Sequence, residues 1–137
     1  MERKTVVTGV IGSDCHVVGN WMLRHALERA GFAVVALGAA VSQEEFIDAA
    51  KETHADAILV SSIYGHAPLD CQGFREKCVE AGLKKIVLYV GGLLSASVEP
   101  FEETEKRFRA MGFDRVYSPH TGLDKAISDL KTDLALV

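Results

Sequence analysis

The sequence predicts a doubly wound α/β domain, because short apolar runs alternate along its whole length with segments of helical periodicity. Five apolar runs are expected to be strands, and the segments between them repeat apolar residues every three or four positions. No stretch rich in proline, glycine or serine interrupts the 137 residues, a length that can bury one core. We therefore expect residues 1–137 to form a single domain whose parallel sheet has helices on both faces.

Three strands and two helices are predicted in the first half of the chain. The first strand is β-branched and almost uniformly apolar, which is typical of a strand covered on both faces. Ser42 and Glu45 have the spacing of a capping box, which marks the start of a helix. In order, the elements are a strand at 5–11, a helix at 19–30, a strand at 33–37, a helix from Ser42 onward and a strand at 57–60.

Three helices and two strands are predicted in the second half. Asp70 is the expected N-cap of a helix that carries Phe74 and Cys78 on one face and ends before Gly82. Pro100 suits the first turn of the next helix, and Gly112 lies just past the end of that helix. In order, the elements are a helix from Asp70, a strand at 86–90, a helix from Pro100, a strand at 115–117 and a helix from Thr121.

The predicted topology is flavodoxin-like or Rossmann-like, with the strand order 2-1-3-4-5. Right-handed crossovers make the five strands parallel, so their carboxyl ends meet at one edge of the sheet. The switch point of this order lies between strands one and three, which is where open α/β sheets bind ligands. The loops after strands one and three flank that point, and Gly91-Gly92 follows the next strand along the sheet.

Composition and charge exclude several classes of partner. The formal net charge is −4 with no basic stripe, so neither nucleic acid nor an anionic membrane surface is an expected partner. Cys15, Cys71 and Cys78 lack C-x-x-C spacing, which favours reduced thiols in a cytoplasmic protein. No apolar run approaches the roughly 18 residues of a membrane span, so neither secretion nor insertion is expected.

The most informative loop follows the first strand, where His16 stands two residues after Asp14. A histidine at this edge can offer one ring nitrogen to a metal ion, while a nearby carboxylate accepts the proton of the other nitrogen. In a surface loop the same pair more often only hydrogen-bonds its neighbours, so both interpretations stay open on these two residues. The first turn of the following helix is weak in helix formers, so the region from Ser13 to Trp21 is expected to gain order from a ligand.

Phosphate-binding members of this architecture fit the sequence poorly. A receiver domain needs an aspartate at the end of strand three, where this chain has Ser61 and Ser62. The loop after strand one lacks the hydroxyl groups of a flavodoxin, and neither G-x-G-x-x-G nor G-x-x-x-x-G-K-[ST] occurs. The remaining possibility is a metal-bearing ligand with an extended tail. His16 would ligate the metal, Ser61 would contact a polar atom of the tail, and the tail would lie against the backbone at Gly91-Gly92.

These residues resemble a known signature. Asp14-x-His16-x-x-Gly19, Ser61-x-Ile63 and Gly91-Gly92 are similar to the cobalamin-binding pattern D-x-H-x-x-G … S-x-L … G-G. The resemblance runs nearly end to end and is strongest to the small (sigma) subunits of glutamate mutase, also called methylaspartate mutase. It implies adenosylcobalamin bound with its own base displaced, His16 as the axial ligand of cobalt, and Asp14 on the far nitrogen of His16. The implied cofactor-binding residues are Ser13, Asp14, Cys15, His16, Val17, Gly19, Ser61, Ser62, Ile63, Tyr64, Gly91, Gly92, Leu93, Leu94, Ser95, Ala96 and Ser97.

The resemblance also implies a function shared with a second chain. The small subunit would hold the cofactor while a large barrel-type (epsilon) subunit binds substrate, with two small and two large chains in the complex. The implied reaction is the radical interconversion of L-glutamate and threo-3-methylaspartate, with no catalytic residue on this chain and no turnover without the partner. Residues 93–97 depart from the polar segment of the family, which leaves a sister substrate open.

Two other functions remain open from the sequence. A corrinoid shuttle would present methylcobalamin to methyltransferases, but such proteins usually carry an additional N-terminal helical bundle, and here the first strand begins near Thr5. The second alternative is a flavodoxin-like domain without a cofactor.

The remaining histidines are expected at the surface or at an interface; they are His25, His54, His66 and His120. Trp21 and Tyr64 are candidate contacts for a large subunit. For Trp21, packing in the core is the alternative.

Overall fold

A five-stranded parallel sheet with helices on both faces forms the framework of the chain. The computed structural model describes residues 3–12, 18–62, 65–92, 94 and 99–135. The elements in order are β1 (Thr5–Val10), α1 (Val18–Arg29), β2 (Ala33–Ala36), α2 (Gln43–Thr53), β3 (Ala57–Ser61), α3 (Ala67–Asp70), α4 (Phe74–Glu80), β4 (Val87–Gly91), α5 (Phe101–Ala110), β5 (Arg115–Tyr117) and α6 (Leu123–Asp133).

The strands lie in the order β2-β1-β3-β4-β5, which confirms the predicted topology. All four neighbouring pairs are parallel. At the carboxyl edge Val10 pairs with Ser61, and Ser61 pairs with Gly91. The carboxyl ends of β1, β3 and β4 therefore lie side by side, as the strand order requires.

Each face of the sheet carries its own apolar cluster, since alternate side chains of a strand point to opposite faces. On one face Ile58 and Leu88 pack with phenylalanines of the helices that follow β2, β3 and β4, which are Phe46, Phe74 and Phe108. On the other face Leu59 and Tyr89 pack with Leu27 of α1 and Leu130 of α6. Among the helices that the structure describes, α1 and α6 cover this second face, and the site described below opens between them.

The capping box that opens α2 is confirmed. The Glu45 amide donates to Ser42 Oγ over 3.1 Å, and the Ser42 amide donates to Glu45 Oε1 over the same distance. These bonds satisfy two backbone donors that the first turn of a helix would otherwise leave without partners. Such a cap stabilises a helix by about 1 kcal/mol.

The predicted start of a helix at Asp70 is wrong. Asp70 is the last residue of the short helix α3, whose first turn contains Pro68, and α4 begins only after Gly73. Gly73 has a φ of 77°, a left-handed conformation that interrupts the helical path and that glycine adopts without strain. Cys71 and Cys78 therefore do not lie in one helix, and both are free thiols buried in the apolar core.

An arginine holds the opposite, amino edge of the sheet together. Arg75 donates to the carbonyl oxygens of Gly112 and Ile86 over 2.9 and 2.8 Å, and to the carboxylate of Asp114 over 2.9 Å. Asp114 also accepts the backbone amide of Leu88 over 2.8 Å. Two segments, 86–88 and 112–114, are thus fixed to α4 and to each other. Within the described ranges, no helix is both long and apolar enough to cross a membrane.

Candidate functional site

A cleft of about 270 Å³ opens at the carboxyl edge of the sheet, between α1 and α6. Asn20 and Leu23 of α1 form one wall, while Leu123 and Ala126 of α6 form the other. The ends of four strands form its base, and the segment 118–122 borders its opening. The cleft therefore lies at the switch point, where the strand order predicts a ligand.

Two tyrosine rings form part of the base. Tyr89 and Tyr117 lie on adjacent strands with their ring centroids 5.6 Å apart in an edge-to-face contact. Gly91 is packed closely here, because a Cβ on it would lie 3.3 Å from Tyr117 Cβ. Gly92 has a φ of 113°, and its amide donates to the Tyr117 carbonyl over 3.2 Å. The two glycines predict that another group lies close to their backbone. Part of that group is the backbone of β5, and both glycines also line the cleft.

A polar network fixes α6 against these rings. The Tyr117 hydroxyl donates to Asp129 over 2.7 Å, and the Tyr89 hydroxyl donates to Asp133. Arg115 donates to both carboxylate oxygens of Asp133, over 2.8 and 2.9 Å. Burial, followed by the hydrogen bond to a carboxylate, raises the pKa of each tyrosine, so both hydroxyls remain protonated donors. The wall of the cleft is therefore held by directional bonds as well as by apolar packing.

The two serines at the end of β3 have different surroundings. Asn20 is 5% exposed, and its Nδ2 donates to Ser61 Oγ over 3.1 Å. The backbone amide of Ser62 donates to the Gly91 carbonyl over 3.1 Å. The buried Ser62 hydroxyl has no hydrogen-bond partner among the described residues. A buried hydroxyl without a partner is unusual in a folded protein and is consistent with a site that a polar ligand completes.

Several predicted site residues meet in the cleft, namely Gly19, Ser61, Ser62, Gly91 and Gly92. Leu94 lies elsewhere, in the apolar cluster on the α2 side of the sheet, where it is buried. The other predicted site residues lie outside the described part of the chain, and their roles stay predictions; they are Ser13, Asp14, Cys15, His16, Val17, Ile63, Tyr64, Leu93, Ser95, Ala96 and Ser97.

Sequence reasoning missed the contributions of Asn20, Tyr117 and the segment 118–122. Asn20 stands in the helical turn that the sequence marks as weak in helix formers, yet it is buried at the cleft. A signal for the segment 118–122 was available, because the loop after β5 leaves the same sheet edge as the loops after β1 and β3. The partners of Asn20 and Tyr117 are 41 and 12 residues away, so no local pattern indicates those contacts.

The remaining histidines and Trp21 lie at the surface. His25, His54, His66 and His120 are exposed, as predicted. Trp21 is 60% exposed and contacts His25 ring to ring at 4.2 Å, so core packing of Trp21 is wrong. Tyr64 lies outside the described residues, and contacts of these side chains with a cofactor or a larger subunit stay predictions.

The residues of the cleft fit the tail of a cobalamin. The tyrosine rings and apolar walls suit a flat heterocycle, serine hydroxyls suit its polar atoms, and an added Cβ on Gly19 would meet no atom within 4 Å. No group of three or more His, Cys, Asp or Glu residues suited to a metal ion occurs in the described ranges. The proposed single cobalt ligand, His16, lies outside them.

Comparison with known proteins decides the family. Residues 4–123 match the B12 binding domain family. The glutamate mutase sigma subunit of Fusobacterium nucleatum is 57% identical over 136 residues, which cover 99% of this chain and 100% of that protein. This chain belongs to the glutamate mutase sigma subunit family. Sigma subunit 2 of Haloarcula marismortui is 56% identical over 131 residues, which cover 96% of this chain and 88% of that protein.

Solved structures share the fold of this sigma-family chain at low identity. A cobalamin-binding protein from Desulfitobacterium hafniense matches 96% of this chain with a TM-score of 0.78 and 20% identity, and the chain spans 60% of its length. The monomethylamine corrinoid protein of Methanosarcina barkeri matches 98% with a TM-score of 0.75 and 21% identity, and the chain spans 57% of it. The receiver domain of the response regulator NarL from Mycobacterium tuberculosis matches with a TM-score of 0.68 and 17% identity. At these identities the likeness establishes the architecture alone.

Proposed function

We propose that this chain binds adenosylcobalamin and, as the sigma subunit of a glutamate mutase, presents it to a larger subunit that binds the substrate. The observation that carries the proposal is the 57% identity to a glutamate mutase sigma subunit over 99% of the chain. The cleft supports it, because it lies inside the matched B12 binding domain and at the sheet edge where this fold binds ligands. We also propose that residues 1–137 form a single cobalamin-binding domain.

The proposed roles of the residues follow from their chemistry. His16 would be the axial ligand of cobalt, and Asp14 would accept the proton on the far nitrogen of His16 and so raise its basicity. Ser61 and the glycines of the cleft would hold the nucleotide tail. Adenosylcobalamin supplies, when bound, the organic radical that removes a hydrogen atom from the substrate. The protein supplies orientation and a site from which water is excluded.

Substrate binding by a second chain is supported by the composition of the cleft. Among the described residues that line it, none is charged. Glutamate carries two carboxylates and an ammonium group, and burying such charges without charged partners costs several kcal/mol. The substrate therefore belongs to the larger subunit. We further propose that this subunit is a barrel and that two small and two large chains assemble.

The competing role, a corrinoid shuttle for methyltransferases, has weaker support. The corrinoid protein that resembles this chain does so at 21% identity, which reports the fold. Three relatives at 57% identity are glutamate mutase sigma subunits, which also favours glutamate over a sister substrate. A cytoplasmic location stays a prediction based on cysteine usage.

The test is spectroscopic and uses the full chain. Purified wild type is mixed with adenosylcobalamin, the cobalt is brought to Co(II) with an added chemical reductant, and this form is examined by electron paramagnetic resonance. We expect nitrogen hyperfine coupling from an imidazole that disappears in His16→Gly and persists in the control His25→Gly, since His25 is exposed on α1. Unchanged coupling in His16→Gly would refute the ligand assignment. Conversion of glutamate by the isolated chain, without a larger subunit, would refute the division of labour.

A further inference from the structure

The contact between Asn20 and Ser61 joins one wall of the cleft to its base. Asn20 lies in the first turn of α1, and Ser61 is the last residue of β3. The donated hydrogen bond spans 3.1 Å, and both residues line the cleft. Asn20 is only 5% exposed, and burying an amide costs free energy unless hydrogen bonds replace those to water. A buried asparagine beside a ligand cleft therefore suggests a chemical role.

That role lies in the direction of the hydrogen bond. A serine hydroxyl has one proton to donate and two lone pairs to accept with. Because the Asn20 amide group donates, Ser61 uses a lone pair for this contact, and its own proton stays available. Within the part of the chain that the structure describes, no other side-chain bond of Ser61 occurs. The hydroxyl is thus left as a donor at the base of the cleft.

We propose that Asn20 is a positioning residue that presents the Ser61 hydroxyl as a hydrogen-bond donor to an acceptor on the nucleotide tail of the cofactor. The inference rests on the proposed function, because it assumes that the cleft holds this tail. The heterocycle at the end of the tail has an unprotonated ring nitrogen once it leaves cobalt, and such a nitrogen only accepts. An asparagine at this position therefore selects ligands that offer an acceptor, without contacting them through its own amide.

The isosteric variant Asn20→Asp separates this role from a structural one. A carboxylate can only accept, so the Ser61 proton would turn towards residue 20, and a lone pair would face the cleft. The link between α1 and β3 would survive, because a hydrogen bond still joins the two side chains. A purely structural contact therefore predicts little change, whereas the proposal predicts a repulsive pairing of two acceptors.

The experiment measures Kd by visible spectroscopy for cobalamin and for cobinamide, which lacks the nucleotide tail. We expect Asn20→Asp and Ser61→Ala each to weaken cobalamin binding about tenfold, the worth of one hydrogen bond to a desolvated group, and to leave cobinamide binding within about twofold. Met22→Asp places the same charge on the exposed face of α1 and is expected to bind both ligands like wild type.

The double variant Asn20→Asp/Ser61→Ala decides between positioning and simple charge repulsion. If Asn20 acts through Ser61, the double variant binds cobalamin no more weakly than Ser61→Ala alone. A further loss in the double variant, equal losses for cobalamin and cobinamide, or wild-type binding by Asn20→Asp would each overturn the proposal. Should Asn20→Asp unfold, the same cycle with Asn20→Ala gives the answer, with an expected loss of about threefold that vanishes beside Ser61→Ala. Failure of the wild type to bind cobalamin would instead refute the proposed function.

Discussion

Replacing Gly112 by alanine tests how tightly the amino edge of the sheet is packed. Gly112 has a φ of 103°, and an added Cβ would lie 2.5 Å from Arg75 Cβ and 2.6 Å from Arg75 Cγ. The Cβ of Arg75 is fixed to the backbone of α4, so relief requires that helix to move. Movement in turn strains the bonds that Arg75 makes to the carbonyls of Gly112 and Ile86.

The magnitude follows from separating two costs. Alanine in the left-handed region costs about 1–2 kcal/mol, and overpacking adds typically about 1–3 kcal/mol. We discount the Arg75–Asp114 ion pair, because the Asp114 side chain is 46% exposed. The matched control is Gly82→Ala: Gly82 has a φ of 88°, but an added Cβ would meet no atom within 4 Å. The control therefore pays only the conformational cost.

Urea unfolding followed by far-ultraviolet circular dichroism measures both variants. We expect the free energy of unfolding to fall by about 1 kcal/mol in Gly82→Ala and by about 3 kcal/mol or more in Gly112→Ala. Losses that agree within about 0.5 kcal/mol would show that Arg75 yields without cost, and the account of this edge would be wrong.

Two further predictions concern titratable groups. The hydrogen bond from Arg115 holds the pKa of Asp133 below its usual range, so its contribution to stability is complete above about pH 4 and is lost as the pH falls through the lowered value. Asp133→Asn should flatten the fall of unfolding free energy below about pH 4 that the wild type shows in acid titrations; an unchanged slope would contradict this. Burial raises the pKa of Cys78 to about 11, and that of Cys71 is raised further. In a Cys15→Ser background we expect a thiol reagent at pH 8 to react only after the chain is unfolded, and rapid labelling of the native protein would refute that expectation.

The architecture was predictable because it follows from local alternation. A strand such as 57–61 and a capping box such as Ser42 and Glu45 are visible in a few neighbouring residues, and chirality then restricts the strand order. The break between α3 and α4 was not predicted, because it depends on the backbone conformation that Gly73 adopts. Boundaries of this kind are decided by a single dihedral angle.

The candidate site was predictable in position and only partly in composition. Ser61 and the paired glycines were found because they follow buried strands that end at one edge. Asn20 and the Tyr117–Asp129 pair were not found, because each depends on a contact between segments distant in sequence. The sequence also does not indicate that Ser61, and not Ser62, accepts a hydrogen bond from Asn20, because this contact depends on the placement of α1.

The absence of ionised groups from the described lining of the cleft has a thermodynamic consequence. A ligand that binds in a cleft with such a lining displaces few counter-ions, so its affinity should vary little with ionic strength. Attraction must then come mainly from apolar surface leaving water, which gives a negative heat-capacity change on binding. Calorimetry over a range of temperatures and salt concentrations would therefore report on the tail, apart from any bond made at the metal.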